Sequence, residues 1–524
     1  MTSMLKEHLL LNSMPIMLKA ERFSHGVRLS GYNRDTFYRL TQFLEGLSLK
    51  EPKKLPHGGM VMELKKKYYG LTENYRELFI HRNSYPALVA YLGHKGIKEA
   101  QIDCVDIPVP SVLPAEYVVK ELYVLRDYQE PIVAELADSL YSRRLDLQTG
   151  KGKTLSALAA LAQMQGRCVI MVQPKFFGIW EKALEETYEG FEKGNRRVRK
   201  IEGGAQLQRL IEDGLAGDIE EDIFLVSAVT YRGYIEAYEK YGEHITTEGG
   251  YGCAPPRFHE VIGAGTQIND EIQDDPGLVF RIDIFTNVRK QIYLSATPYT
   301  GNPYVTKMIG VQLPEETMCT LPTYDMYINS VGLLYSDPTV QSKDYLTPFK
   351  NTYNHARYET QMLKAKRRTT AYYAMVKRVV DKIYVEDRLP GQKLLILCAT
   401  VAFIDKLMKH MKEQYPDLAI GRFVSGDDFR TLQTNDITIS TIKSAGTGQD
   451  IIDLREVLLL QATDSKKDNV QILGRLRKLK NFPGLVPRLT YMVCQHIPHH
   501  IRYHNNKKEH FEGKVLSHRT MRIV

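Results

Sequence analysis

Leu147-Gln148-Thr149-Gly150-Lys151-Gly152-Lys153-Thr154 runs straight into the helix-forming stretch Leu155-Ser156-Ala157-Leu158-Ala159-Ala160-Leu161-Ala162-Gln163. Glycines in such a loop let the backbone wrap closely round phosphates, and the helix that follows aims its N–H groups and dipole at the anion. Lys153 is placed to reach the β- and γ-phosphates of a nucleotide and Thr154 to ligate magnesium, with Thr149, Gly150, Lys151 and Gly152 as the cradle. The general pattern Gly-x-x-x-x-Gly-Lys-Ser/Thr is met only in part, because Leu147 stands at its first glycine. A chance Gly-Lys turn at a helix start is the alternative, and the surrounding rhythm decides against it.

Working outward, short apolar runs alternate with helical stretches: residues 168–172 (CVIMV), 223–228 (IFLVSA) and 291–296 (QIYLSA). The same rhythm returns at 393–397 (KLLIL), 436–441 (DITIST), 456–461 (EVLLLQ) and 488–495 (RLTYMVCQ). Strand–helix–strand units of this kind build parallel sheets buried on both faces. The expected fold class is therefore α/β, with two parallel-sheet lobes in tandem behind a small α+β N-terminal domain. The expected domains are 1–115 as an accessory domain, 116–315 and 316–505 as the two lobes, and 506–524 as a loosely held polar tail. Pro108-Val109-Pro110-Ser111-Val112-Leu113-Pro114 suits neither a helix nor a central strand and reads as the first linker. Within the first domain, Asp35 is expected to cap a helix carrying Phe37, Leu40, Phe43, Leu44 and Leu47. Gly58 to Leu71 is expected as strands or a hairpin, and Ser84 to open a second helix with Pro86 in its first turn. A Lys- and Arg-rich helical stretch is expected from Tyr358 to Tyr384, between the lobes.

Later motifs separate the ways of using a phosphate loop. Upstream, Arg126-Asp127-Tyr128-Gln129 offers an amide, on Gln129 beside Tyr128, that can bond an adenine edge in a bidentate way. Downstream, Asn269-Asp270-Glu271-Ile272-Gln273 pairs two carboxylates with separate tasks. Asp270 would hold magnesium, and Glu271 would orient and deprotonate the attacking water. A solvated acidic turn, extended by Asp274 and Asp275, is the alternative for this stretch taken alone. Leu294-Ser295-Ala296-Thr297-Pro298 closes an apolar run, and the hydroxyls of Ser295 and Thr297 can link the carboxylates to a nucleic-acid track. In the second lobe, Ser440-Thr441 and Ala445-Gly446-Thr447-Gly448-Gln449-Asp450 resemble a helicase motif at a strand end, and the resemblance implies Gly448 and Asp450 as nucleotide contacts. Gln471-Ile472-Leu473-Gly474-Arg475-Leu476-Arg477-Lys478 then resembles the helicase QxxGRxxR motif, which implies Gln471 and Arg475 directed at the γ-phosphate from one helix. Arginine at the transferred phosphate stabilises charge in the transition state. The second such group is Arg477 or Lys478, which are not equivalent because lysine lacks the planar fork.

In this order the motifs resemble those of superfamily 2 helicases, whose lobes are RecA-like, over residues 120–480. The resemblance is closest to the UvsW-type recombination helicases of T-even bacteriophages. It rests on Leu147 opening the phosphate loop, Asn269 before the Asp270-Glu271 pair, and a Val424-Ser425-Gly426 turn. It implies ATP and magnesium as cofactors and branched or duplex DNA with single-stranded regions as partner. It also implies fork, junction or R-loop remodelling as the activity, a DNA-gripping N-terminal domain and a role in recombination and repair. An RNA helicase and a DNA-binding scaffold with weak ATPase remain the alternatives.

Composition fits these readings. At 524 residues, with 43% hydrophobic and 25% charged residues, the chain is long enough for several folded domains. A net charge of +8 permits a polyanionic partner without requiring one. The 6 cysteines form no CxxC pair, which argues against a zinc ribbon, a cluster or a disulfide framework. No apolar run approaches the roughly 20 residues that span a bilayer, and Lys6, Glu7 and His8 interrupt the N-terminal apolar streak. The expected location is the cytoplasm, without membrane contact; protein partners are not legible. Three clusters carry two readings each. Lys65, Lys66 and Lys67 beside Tyr68 and Tyr69 suit phosphates and stacked bases, or a lysine-guarded strand edge. Lys364, Lys366, Arg367 and Arg368 suit the same track or a solvated helix face. His496, His499, His500 and His504 suit a metal or a polar tail.

Overall fold

The computed structural model describes residues 18–523 apart from 56–58, 193–195, 297–301, 349–350, 425, 429 and 446–449. The chain divides into two compact units, one holding residues through Leu147 with Gly152–Pro322, the other Gln148–Lys151 with residues from Thr323 onward.

The first unit begins with β1 (Leu18–Arg22) and β2 (Gly26–Ser30), then the hairpin β3 (Ser48–Lys54) and β4 (Met60–Lys67). It continues with β5 (Gly70–Leu71), β6 (Leu78–His81) and β7 (Ile102–Asp106). Five of these make a mixed sheet in the order β5-β6-β2-β1-β7, and β3 with β4 makes a separate two-stranded sheet. The helix Arg34–Glu45 forms where expected, but Asn33 caps it, accepting from the Thr36 N–H at 2.9 Å. Asp35 sits inside the first turn and pairs with Arg39 at 2.8 Å. The second helix, Tyr85–His94, follows Ser84, whose side chain makes no cap bond because a 3-10 turn already precedes it.

Then come β8 (Ser142–Leu145), β9 (Arg167–Val172), β10 (Val198–Ile201), β11 (Ile223–Ser227), β12 (Ala264–Asn269) and β13 (Lys290–Leu294). They form a sheet in the order β10-β11-β9-β12-β13-β8, every pair parallel. Alternation along the strands feeds two cores. Val169 and Met171 of β9 with Phe224 and Val226 of β11 face one side, where they join Leu18, Val27, Leu40 and Phe79 of the N-terminal sheet. Cys168, Ile170, Ile223 and Leu225 face the other, with Leu158 and Trp180. The Pro108–Pro114 stretch is neither helix nor strand, as expected, yet it is held: Leu113 N–H donates to Gly263 O at 2.9 Å and Leu113 O accepts from Arg167 N–H at 3.1 Å.

The second unit holds β14 (Asn329–Tyr335), β15 (Lys393–Cys398), β16 (Ile420–Phe423), β17 (Ile437–Thr441), β18 (Leu454–Leu459), β19 (Arg488–Cys494) and β20 (Ser517–Arg522). Their order is β16-β17-β15-β18-β19-β14-β20, again parallel throughout. Leu394 and Ile396 of β15 face one core, Leu395 and Leu397 the other. The expected tandem of parallel-sheet lobes behind an α+β region is thus the observed architecture.

Three expectations are corrected here. Residues from 506 onward are not a loose tail: helix Pro498–Phe511 continues through them, and β20 pairs with β14 from Asn329↔Ser517 to Leu334↔Arg522. His500 and His504 of that helix are buried, bonded to the Tyr353 and Tyr491 hydroxyls at 2.5 and 2.6 Å. His499 lies stacked on the Tyr353 ring, and His496 accepts the Asp337 N–H, so the four histidines work as packing and hydrogen-bonding groups. The basic stretch is two helices, His355–Lys364 and Lys366–Val380, broken at Ala365. Arg368 there is no free cation: it bonds Asp337 and Asp344 at 2.6 and 3.0 Å and lies over the Tyr358 ring. Lys364, Lys366 and Arg367 stay exposed. No helix among the described residues is long and apolar enough to cross a membrane.

Candidate nucleotide site

The loop after β8 bends because Gly150 and Gly152 take left-handed φ of 82° and 86°, a region costly for any residue with a Cβ. Gly152 caps the helix Lys153–Met164, so the first N–H groups of three helical turns open onto the loop. Lys153 folds back to donate to the Leu147 carbonyl at 3.3 Å. Gln129 is buried against this loop. Its Oε1 accepts from Arg126 N–H at 3.0 Å and its Nε2 donates to Ser156 Oγ at 3.3 Å. A Cβ built on Gly152 falls 2.5 Å from that same Nε2. Tyr128 stands beside it, its hydroxyl accepting from Arg126 at 2.8 Å.

β12 delivers the carboxylates. Asp270 follows its last residue and is held by its own N–H to Met171 O at 3.2 Å and by Trp180 Nε1 donating to Oδ2 at 2.9 Å. Burial raises the Asp270 carboxyl to about 7, with Glu271 adding to the rise and Trp180 and the Lys153 ammonium opposing it. Lys153 is therefore close enough to act on Asp270 through its charge. A carboxyl driven towards neutrality beside a second carboxylate suits a divalent cation, which would favour its ionised form. Asp270 and Thr154, the latter in the helix's first turn, are the groups present to hold magnesium; the cation would neutralise charge on the phosphates.

Glu271 adopts φ 49°, left-handed for a residue with a side chain, a conformation that persists only when its surroundings impose it. The next residues supply that constraint. Ile272 N–H donates to Leu294 O at 3.3 Å, and Gln273 Nε2 donates to Glu271 Oε2. The other end of the Gln273 amide accepts from Ser295 Oγ at 2.6 Å, both residues buried. A carboxylate only accepts, so the amide nitrogen must face Glu271 and its oxygen the serine hydroxyl. Glu271, Gln273 and Ser295 are thus one hydrogen-bonded line from the second carboxylate to the end of β13.

Of the expected first-lobe residues, the structure gathers Gln129, Gly152, Lys153, Asp270, Glu271 and Ser295 round one site. Thr297 and Gly448 lie outside the described residues, as does Ser425 of the Val424–Gly426 turn. In the second unit, Lys151 pairs with Asp325 at 2.8 Å, and Lys478 reaches the same carboxylate at 2.8 Å. The helix expected to present Gln471 and the arginines together is Lys466–Leu473. It ends at the Gly474 cap, so it carries Gln471 alone, and Arg475, Arg477 and Lys478 follow on non-helical chain. Arg477 Nη2 pairs with Asp450 Oδ1 at 2.8 Å. Trp180 is the neighbour of Asp270 that motif spacing missed; its one sequence signal is that it is the chain's single tryptophan.

No family model matches the sequence, and no curated protein matches it. Among solved structures, Mss116p bound to ssRNA and AMP-PNP aligns over 76% of this chain and 75% of that one, at 13% identity and TM-score 0.49. S. cerevisiae Dbp5 bound to RNA and ADP BeF3 aligns over 76% and 89%, at 12% identity and TM-score 0.46. T4 UvsW aligns over 97% and 100%, at 13% identity and TM-score 0.31. Likeness at this level names no substrate for the chain.

Proposed function

We propose that the chain is an ATP-driven DNA helicase or translocase of the superfamily 2 kind, acting on branched or duplex DNA in recombination and repair. One observation carries the reading: Lys153, Asp270 and Glu271 share a site, and Glu271 is tied through Gln273 to Ser295. A phosphate loop needs only the first of these; a motor needs the carboxylate that activates water to be connected to something that moves with the track. In this reading Lys153 and the loop N–H groups hold the triphosphate, and Gln129 with Tyr128 reads adenine. Glu271 takes the proton of the attacking water. From the second lobe Gln471 offers its neutral amide, Arg475 and either Arg477 or Lys478 supply positive charge, and Gly448 and Asp450 are further nucleotide contacts.

Strand displacement on a forked DNA duplex tests this. Wild type with ATP separates the strands. Lys153→Ala abolishes displacement and ATP turnover while still binding DNA, and Glu271→Gln binds ATP without turning it over. Full turnover in either variant would contradict the assignment. Displacement of RNA duplexes alone would favour an RNA helicase.

A further inference from the structure

The β3–β4 hairpin carries a largely apolar face that stays exposed among the described residues. Its register sets Lys50 opposite Leu64 and Pro52 opposite Met62, so Pro52, Met60, Met62 and Leu64 lie on one face of the ribbon. Met60 is 72% exposed, Met62 60% and Leu64 41%. Adjacent exposed apolar side chains of this size mark a surface that meets something. The ribbon is cationic: residues 48–67 contain six lysines against two glutamates, a net +4 within a chain whose whole charge is +8, with Lys50 on the same face as Leu64 and Lys53 and Lys65 both paired with Glu63 on the other.

The base of the hairpin, by contrast, is fixed. Tyr68, expected as a stacking face for bases, is 1% exposed and packs edge-on to Phe280 at 5.1 Å and Tyr304 at 5.7 Å. Lys66 Nζ reaches Asp275 at 3.2 Å, and Asp275 caps the helix Pro276–Asp283 that follows the Asp270-Glu271 pair. The ribbon is therefore a stalk seated on the same lobe as the nucleotide site. Pro52 lacks an N–H, so a further strand is poorly accepted along β3, which argues against a second copy as the occupant.

We propose that this hairpin is a strand-separating wedge: its Pro52, Met60, Met62 and Leu64 face meets the terminal base pair where duplex divides into single strands, with its lysines on the flanking phosphates. The proposal rests on the nucleic-acid motor reading above. Methionine, leucine and proline are side chains that enter base steps and unstack them, and lysines supply the sequence-independent attraction.

The test uses the full chain without nucleotide and a forked DNA carrying 2-aminopurine in its first base pair. Wild type raises the emission as that pair opens. The triple variant Met60→Ser, Met62→Ser, Leu64→Ser gives a rise at least about threefold smaller, because the apolar contact with the base step is gone. Its affinity for single-stranded DNA stays within about twofold, because the lysines are intact. Its melting temperature, unchanged by substitutions at exposed positions, serves as the folding control. An equal rise in the triple variant, or wild type binding the fork with no rise or not at all, would overturn the wedge. So would a fork response untouched by the substitutions together with loss of vesicle binding or of a dimer. ATPase assays on the same proteins separate the two readings. An ATPase indifferent to nucleic acid with an opened base pair fails the motor alone, whereas a DNA-stimulated ATPase with an unaltered triple variant fails the wedge alone.

Discussion

Replacing Ser295 by alanine removes one hydroxyl from a buried line of hydrogen bonds and nothing else. Ser295 is 0% exposed, and its Oγ–H donates to the Gln273 amide at 2.6 Å. Losing a donor to a buried acceptor costs about 1–3 kcal/mol. In a unit of this size that lowers the melting temperature by about 2–6 °C, at roughly 2 °C per kcal/mol. The functional consequence separates two roles. If the line only supports the fold, ATP turnover and strand displacement fall together. If it carries the state of Glu271 to the end of β13, turnover driven by single-stranded DNA stays within about threefold while displacement per ATP falls about tenfold, equivalent to 1.4 kcal/mol at the coupling step. The assay is a steady-state ATPase run in parallel with displacement of a labelled strand at the same ATP concentration. A parallel fall in both rates, or a melting shift with no change in either, would refute the coupling role.

Two further outcomes follow from the same geometry. Gly152→Ala places a Cβ 2.5 Å from Gln129 Nε2 at a left-handed φ of 86°, a cost of about 1–2 kcal/mol before Gln129 is displaced. ATP binding measured by calorimetry weakens by about tenfold or more, and unchanged affinity would contradict the loop's place in the site. Asp283 is fully buried, accepting from Tyr293 OH at 2.6 Å and Gln312 Nε2 at 2.5 Å, with neutral His81 at 3.8 Å. Burial raises its carboxyl from 3.8 to about 7, against those bonds. The folded chain thus keeps a proton that the unfolded chain releases, so the stability it contributes is complete below about pH 4 and lost as pH rises to 7, about 4 kcal/mol in all. Asp283→Asn removes that slope from denaturant melts between pH 4 and 7; an unaltered slope would rule the group out.

The sequence made the lobes legible where physics leaves little choice. Arg167–Val172 and Lys393–Cys398 are buried on both faces, so their apolar runs stand out. β8 escaped notice because Ser142-Arg143-Arg144-Leu145 looks soluble, although Arg144 is 3% exposed and bonded to Asp146. The C-terminal helix escaped for a similar reason. Its buried side chains are His500, His504, Lys507 and Phe511, and Lys507 bonds the Thr463 carbonyl at 2.6 Å, so a single apolar residue at the helix end is all that marks the buried side. At the site, the spacing of Asp270, Glu271, Gln273 and Ser295 was readable because these residues lie at the ends of adjacent strands. The Trp180 bond to Asp270 was not, since it depends on how a helix after β9 packs across β12. The hairpin was expected as strands, but its side-chain exposures exchanged the roles: Tyr68 went to the core, and Met60, Met62 and Leu64 to the surface.

The most direct measurement is the steady-state ATPase rate of wild type alone, then with single-stranded DNA, duplex DNA, a four-way junction and RNA. A DNA motor of this design gives a low rate alone and strong stimulation by DNA, largest with the branched substrate. A rate that stays negligible with every polymer would mean that the site is built but drives nothing, and stimulation by RNA alone would transfer the motor to the other nucleic acid.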